Sequence, residues 1–287
     1  MVVADLGGHP QGPDVLPDGR FVCAETITGR LIAFSPGAKA ETYADTAGGP
    51  IGCVIGSDGC AYVAQNGGRI GFDLWASERS VSPSIQRCSA DGTSVETICT
   101  EVDSIALCAP HDVAWGADGS LYFTDSGRWD PELRRDPGFV FVLHPDGSAE
   151  TVLELGPVFP CGIIGEPDGS IVWTEGYTGL VSRLRPDGTR QTVARLPGEH
   201  VLEGLRVAGD GSLLIAAFDG GGIHVLSAQG EPTSFLELPV ASHPMNLVLR
   251  DGAVWVLVMT GEGDMHGQMV SRAVGFDACA PLRGSIR

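Results

Sequence analysis

Residues 160–175 read PCGIIGEPDGSIVWTE, two short apolar runs on either side of a Pro-Asp-Gly turn. Strand, tight turn, strand is a β-hairpin, and Asp-Gly supplies the positive-φ position that such turns require. The pattern returns as VAWGADGSLYFTD at 113–125 and RVAGDGSLLIAAF at 206–218. Working outward, its turn aspartates are Asp18, Asp58, Asp118, Asp168, Asp210 and Asp251, which makes six units. Several units run on into a third strand, a second turn and a fourth strand, as in FVFVLHPDGSAETVLEL at 139–155 and VSRLRPDGTRQTVARL at 181–196. Four strands repeated every ~40 to 60 residues are the mark of a β-propeller blade. A lone blade leaves both faces bare, so the units stack radially and the ring closes. The expected architecture is all-β: a single six-bladed β-propeller of four-stranded blades around a central channel over residues 1–287, with residues 2–6 (VVADL) as the closing strand.

Composition agrees with this and narrows the partners. The 41 glycines and 19 prolines are spread as turn punctuation, and no apolar run approaches the ~18 residues of a membrane-spanning helix. A net charge of -18 excludes a nucleic acid or an anionic membrane as partner, since both select for surplus Lys and Arg. A small-molecule substrate is the expected partner. The eight cysteines (23, 53, 60, 88, 99, 108, 161 and 279) show neither a CxxC pair nor zinc-finger spacing. The first residues carry no basic-then-apolar leader. Together these set the expectation of a cytoplasmic protein whose cysteines are reduced and mostly buried, with one or two disulfides left open.

Propeller geometry turns register into position. The innermost strand of each blade starts near the channel, so residues equally spaced from each turn form a ring about the axis. Seven residues before the turn aspartates stand Gln11, Ile51, His111, Cys161 and Glu203; the sixth unit is one residue shorter and places Met245 there, followed by Asn246. An amide, an imidazole, a thiol and a carboxylate converging on one small volume can bind a divalent metal or do acid–base and nucleophilic work. The structural alternatives are that Gln11 bonds backbone at the channel mouth, His111 is tied to a neighbouring carboxylate and Cys161 fills space. Seven residues after the turns, Glu25, Gln65, Asp125 and Glu175 are expected to bond adjacent loops or blades. Two long loops, GFDLWASERSVSPSIQ at 71–86 and SGRWDPELRRDPG at 126–138, are candidates for substrate contact through Trp75, Arg128, Trp129 and Arg134.

On these residues the chain resembles the regucalcin/gluconolactonase family of six-bladed propellers. The resemblance is carried by QGPDVLPDGRFVCAE at 11–25, PHDVAWGADGSLYFTD at 110–125, PCGIIGEPDGSIVWTE at 160–175, LEGLRVAGDGSLLIAAFDGGGIHVL at 202–226 and HPMNL at 243–247. It implies a cation bound at the channel by a blade-one Glu, a blade-four Asn and a blade-five Asp, and hydrolysis of lactones. Those ligands fall on Gln11, Cys161 and Glu203, none of them identical to the family's residue; His111 and Asn246 fall on substrate-side positions. Calcium and magnesium want oxygen, so if a divalent metal is bound, His, Cys and Glu favour zinc or another transition ion. If none is bound, Cys161 and His111 form a nucleophile–base pair. The implied function is a hydrolase opening a small lactone or related cyclic ester, with Glu203, His111 and Cys161 as catalytic residues. A lyase or isomerase on the same scaffold, similar to the seven-bladed streptogramin lyases, and an inactive binding propeller are the alternatives.

Overall fold

The turns form as their chemistry demands. In blades one to five the turn aspartate accepts the N–H two residues on, as Asp118 does from Ser120 at 3.0 Å and Asp168 from Ser170 at 2.9 Å. The glycine after it sits at φ between 77° and 87°, where a side chain would be strained. Blade six is shorter because Arg250 pairs directly with Ala253, leaving a two-residue turn in which Asp251 and Gly252 both have positive φ. The computed structural model describes every residue except 71–74, 198–200, 239–241, 261–265, 274, 276–277 and 287. The side chains of 70, 75, 76, 266 and 273 also lie outside the described residues, and with them the expectation for Trp75.

Six four-stranded antiparallel sheets form around one axis, and each inner strand contacts the next until the first and sixth meet. The inner strands are Pro10–Val15, Pro50–Ile55, Pro110–Trp115, Pro160–Gly165, Leu202–Val207 and His243–Arg250. Val2–Asp5 pairs with His266–Ala273 and completes blade six, the closing role expected of it. Blades can bury both faces because six apolar clusters lie between them, one at each junction. Strands such as Phe21–Glu25 and Ile171–Glu175 are therefore buried throughout rather than alternately. All eight cysteines are free thiols. Among the described residues no helix is long and apolar enough to cross a membrane.

The channel is divided at mid-height. Just after the ring position the six blades carry Gly12, Gly52, Asp112, Gly162, Gly204 and Asn246, and Asn246 Nδ2 donates to Asp112 Oδ2 at 3.2 Å across the axis. The glycines leave space for this bridge: a Cβ on Gly204 would meet the Asn246 amide at 2.1 Å, and one on Gly52 would meet Asp112 at 2.6 Å. Below the bridge, the chain from Ala278 to Arg283 lines a cavity of about 220 Å³ at the lower mouth. Arg283 holds that tail to Asp14 at 2.6 Å.

Candidate active site

Every inner strand has a bulge one step after its start, and this aims the ring residue at the upper channel. Blades three and four fix theirs with threonine struts. Thr124 Oγ1 accepts the Asp112 N–H at 3.1 Å and donates to Cys161 O of the next blade at 2.6 Å. Thr174 does the same between Gly162 N, at 2.9 Å, and Glu203 O, at 2.7 Å. The corresponding residues of the other blades are Ala24, Ala64, Ala216 and Leu257. Only the two blades that precede Cys161 and Glu203 are strutted this way.

The ring converges as its register implies. Ligand atoms of His111, Cys161 and Glu203 all lie within 4.8 Å of one another and all three residues are buried. His111 Nε2 stands 3.7 Å from Glu203 Oε2. Gln11 reaches the same carboxylate. Above them opens a cavity of about 330 Å³, lined by Gln11, His111 and Glu203 at its floor and by Arg128 and Trp129 on one wall. Cys161 is fully buried and lies behind that floor, its thiol donating to Phe159 O at 3.4 Å.

Burial governs the charges here. It pushes the Glu203 carboxyl up to about 8, with Asp112 adding repulsion and the Gln11 amide opposing it. It lowers His111 to about 4, and His9 to about 3 with the nearby His111 contributing. The Cys161 thiol is driven well above its ordinary value, first by burial and then by Glu203 and Asp112. At neutral pH the centre therefore holds a carboxylic acid, a neutral imidazole and a thiol. Its donors suit a zinc-type ion: nitrogen, sulfur and oxygen come together, and two buried atoms, His111 Nδ1 and Glu203 Oε2, have no hydrogen-bond partner. They do not suit calcium, which needs six or more oxygens where this floor offers one carboxylate and one amide.

Two expected substrate contacts stand elsewhere. Arg134 packs its guanidinium over Tyr177, 4.9 Å from the ring centre, and does not line the cavity. Asn246 lies below the floor on Asp112. Arg128 does line the cavity, held by Asp136 through bonds of 2.7 and 2.9 Å. Sequence reasoning missed Asp112 as a member of the centre, the two threonine struts and the aromatic wall. The struts had a visible signal, a Thr before the acid in YFTD and VWTE.

Residues 10–261 match the family described as the SMP-30/Gluconolactonase/LRE-like region. Among solved structures, a gluconolactonase from Xanthomonas campestris superposes with a TM-score of 0.74 at 19% identity, over 94% of this chain and 89% of that one. A calcium-binding protein, regucalcin, from Agrobacterium tumefaciens gives 0.77 at 13% identity over 100% of this chain and 96% of that one. Virginiamycin B lyase from Staphylococcus aureus gives 0.63 at 16%, over 96% of this chain and 87% of that one. At such identities the likeness is one of fold. No curated protein matches the chain.

Proposed function

The chain belongs to the SMP-30/gluconolactonase/LRE-like family, and from that premise we propose that it is a hydrolase opening a small lactone or related cyclic ester in the upper channel. The observation that carries this reading is the buried His111–Glu203 pair, 3.7 Å apart at the floor of the cavity. Hydrolysis takes one proton from water and gives one to the departing ring oxygen. The pair holds one proton at neutral pH, on Glu203, because burial keeps His111 neutral. His111 accepts the proton of the attacking water as the new C–O bond forms. Glu203 gives its proton to the ring oxygen as the acyl C–O bond breaks. The proton on His111 then crosses to Glu203, which restores the pair and leaves a hydroxy acid.

A zinc-type ion held by His111, Cys161 and Glu203, beside Gln11, would displace the proton of the pair and supply Lewis acidity toward the carbonyl in place of that exchange. Cys161 takes the role of ligand in this reading, since a fully buried thiol with a raised pKa is a poor nucleophile. Trp129 and Arg128 supply the substrate-facing wall.

The test is acid release from a panel of lactones, with product mass separating addition of water from elimination or isomerisation. Glu203→Gln and His111→Ala are each expected to lower kcat/KM by about a hundredfold or more. The wild-type profile is expected to fall below about pH 4, where His111 gains a proton, and above about pH 8, where Glu203 loses one. Full activity in either variant, or a rate that keeps rising beyond pH 9, overturns the assignment.

A further inference from the structure

Much of the wall above the His111–Glu203 floor is hydrocarbon, although His9, Arg69 and Asp219 also line it. Blades two and six bring Ile51 and Met245 to their ring positions, and Phe159, Trp129 and Phe218 stand above. Phe159 has a φ of 54°, a left-handed conformation that is uncommon for a bulky residue and that persists only where the surroundings over-determine it. Its ring meets His111 edge-on at 5.8 Å and Trp129 edge-on at 4.9 Å, and it packs on Tyr177 at 5.1 Å. The strained backbone thus holds an aromatic face beside the reacting pair. Three of the polar side chains that line the cavity are committed to the protein. The Ser126 hydroxyl donates to Pro160 O at 2.5 Å, Asn66 Oδ1 accepts from Gly68 N at 2.8 Å, and Arg128 is held by Asp136.

A sugar lactone entering this space would bring several hydroxyls, and those that face the hydrocarbon would lose their water without finding partners, at a cost for each. An aryl or alkyl group would gain by leaving water for these walls. The volume of about 330 Å³ equals that of about eleven waters at ~30 Å³ each, so the molecule is small, of one or two rings. We propose that the centre favours a compact lactone or cyclic ester carrying an aryl or alkyl group over a polyhydroxylated one. This rests on the lactonase reading for the chemistry and on the walls alone for the selectivity.

The experiment uses the full chain with dihydrocoumarin, D-glucono-δ-lactone and the lactam analogue of dihydrocoumarin, whose ring the hydrolysis does not open. Dihydrocoumarin is expected to exceed gluconolactone in kcat/KM by about a hundredfold, the discrimination a largely apolar pocket reaches against added hydroxyls. Calorimetric titration of the lactam is expected to show binding that Phe159→Gly weakens about tenfold; glycine relieves the backbone at this φ, so the variant keeps the fold. Ile51→Thr, which adds a hydroxyl to the opposite wall, is expected to weaken it in the same direction. Equal or faster opening of gluconolactone overturns the selectivity and leaves the lactonase reading intact. Lactam binding that falls in both variants, with no lactone opened, supports the selectivity and overturns the reaction. Absence of lactam binding, or binding indifferent to both variants, overturns the proposal.

Discussion

At the scale of single residues the centre is defined by Glu203, the carboxyl of the inner ring, which is 7% exposed. Its pKa of about 8 against an ordinary 4.5 couples the site to stability. Between those values the native state holds a proton that the unfolded chain has released. The unfolding free energy then falls as pH rises, by up to about 1.4 kcal/mol per pH unit, and stops falling once pH passes the folded value. His9 and His111 act oppositely at the acid end, where their lowered values make protonation favour the unfolded chain. Glu203→Gln removes the carboxyl and keeps the histidines. The difference in melting temperature, variant minus wild type, is expected to grow from pH 5 to pH 8 and level off beyond. Thermal melts at constant ionic strength measure it, and parallel curves for the two proteins contradict a buried, protonated Glu203.

Elements explain why these residues are held so firmly. Where the second strand of blades one to four ends, an acid or amide ties down the loops around it. Glu25 accepts the N–H of His9, Ile27 and Thr28, and Asp125 accepts those of Cys108, Ala109 and Gly127. The sequence register named these four positions as loop anchors, and their bonds bear that out for Gln65 and Glu175 as well. Legibility had a physical boundary here. Turn chemistry and strand alternation are local, so Asp58 or Gly119 announces itself within a few residues. Phe159 carries no local signal for a left-handed backbone, and the Asp112–Asn246 bridge joins residues 134 positions apart. Asp125 leads into the loop that carries Arg128 and Trp129, so Asp125→Ala is expected to cost about 3 kcal/mol by orphaning three N–H groups. Asp125→Asn, which retains an acceptor oxygen, is expected to lose about half of that. Urea unfolding decides it, and a midpoint for Asp125→Ala within error of wild type removes the anchoring role.

Over the whole molecule, the site depends on closure of the ring. Gln11 enters from blade one, His111 from three, Cys161 from four and Glu203 from five, while blade six braces Asp112 through Asn246. The register could place these four groups on a common ring because closure makes equal spacing into proximity; it could not say that burial would hold the carboxyl protonated and the thiol inert, since that requires the depth of the surrounding blades. The closure itself rests on a short strand. Val2 pairs with Val270, Ala4 with Met269 and Asp5 with Gln268, Leu6 N donates to Gly267 O at 2.8 Å, and Gly37 N of blade one donates to Val3 O at 2.9 Å. Ala4 and Leu6 are buried in the cluster between blades six and one, beside Met269, Leu257 and Phe21. Removing residues 1–6 exposes that cluster and a bare strand edge, and is expected to cost about 4 kcal/mol or more. Because blade six then loosens around Asn246, lactone opening should fall with stability, and a synthetic peptide of residues 1–8 added in trans should restore both together. A truncated chain that melts and turns over like the full one, with no response to the peptide, would show that the sixth blade closes without this strand.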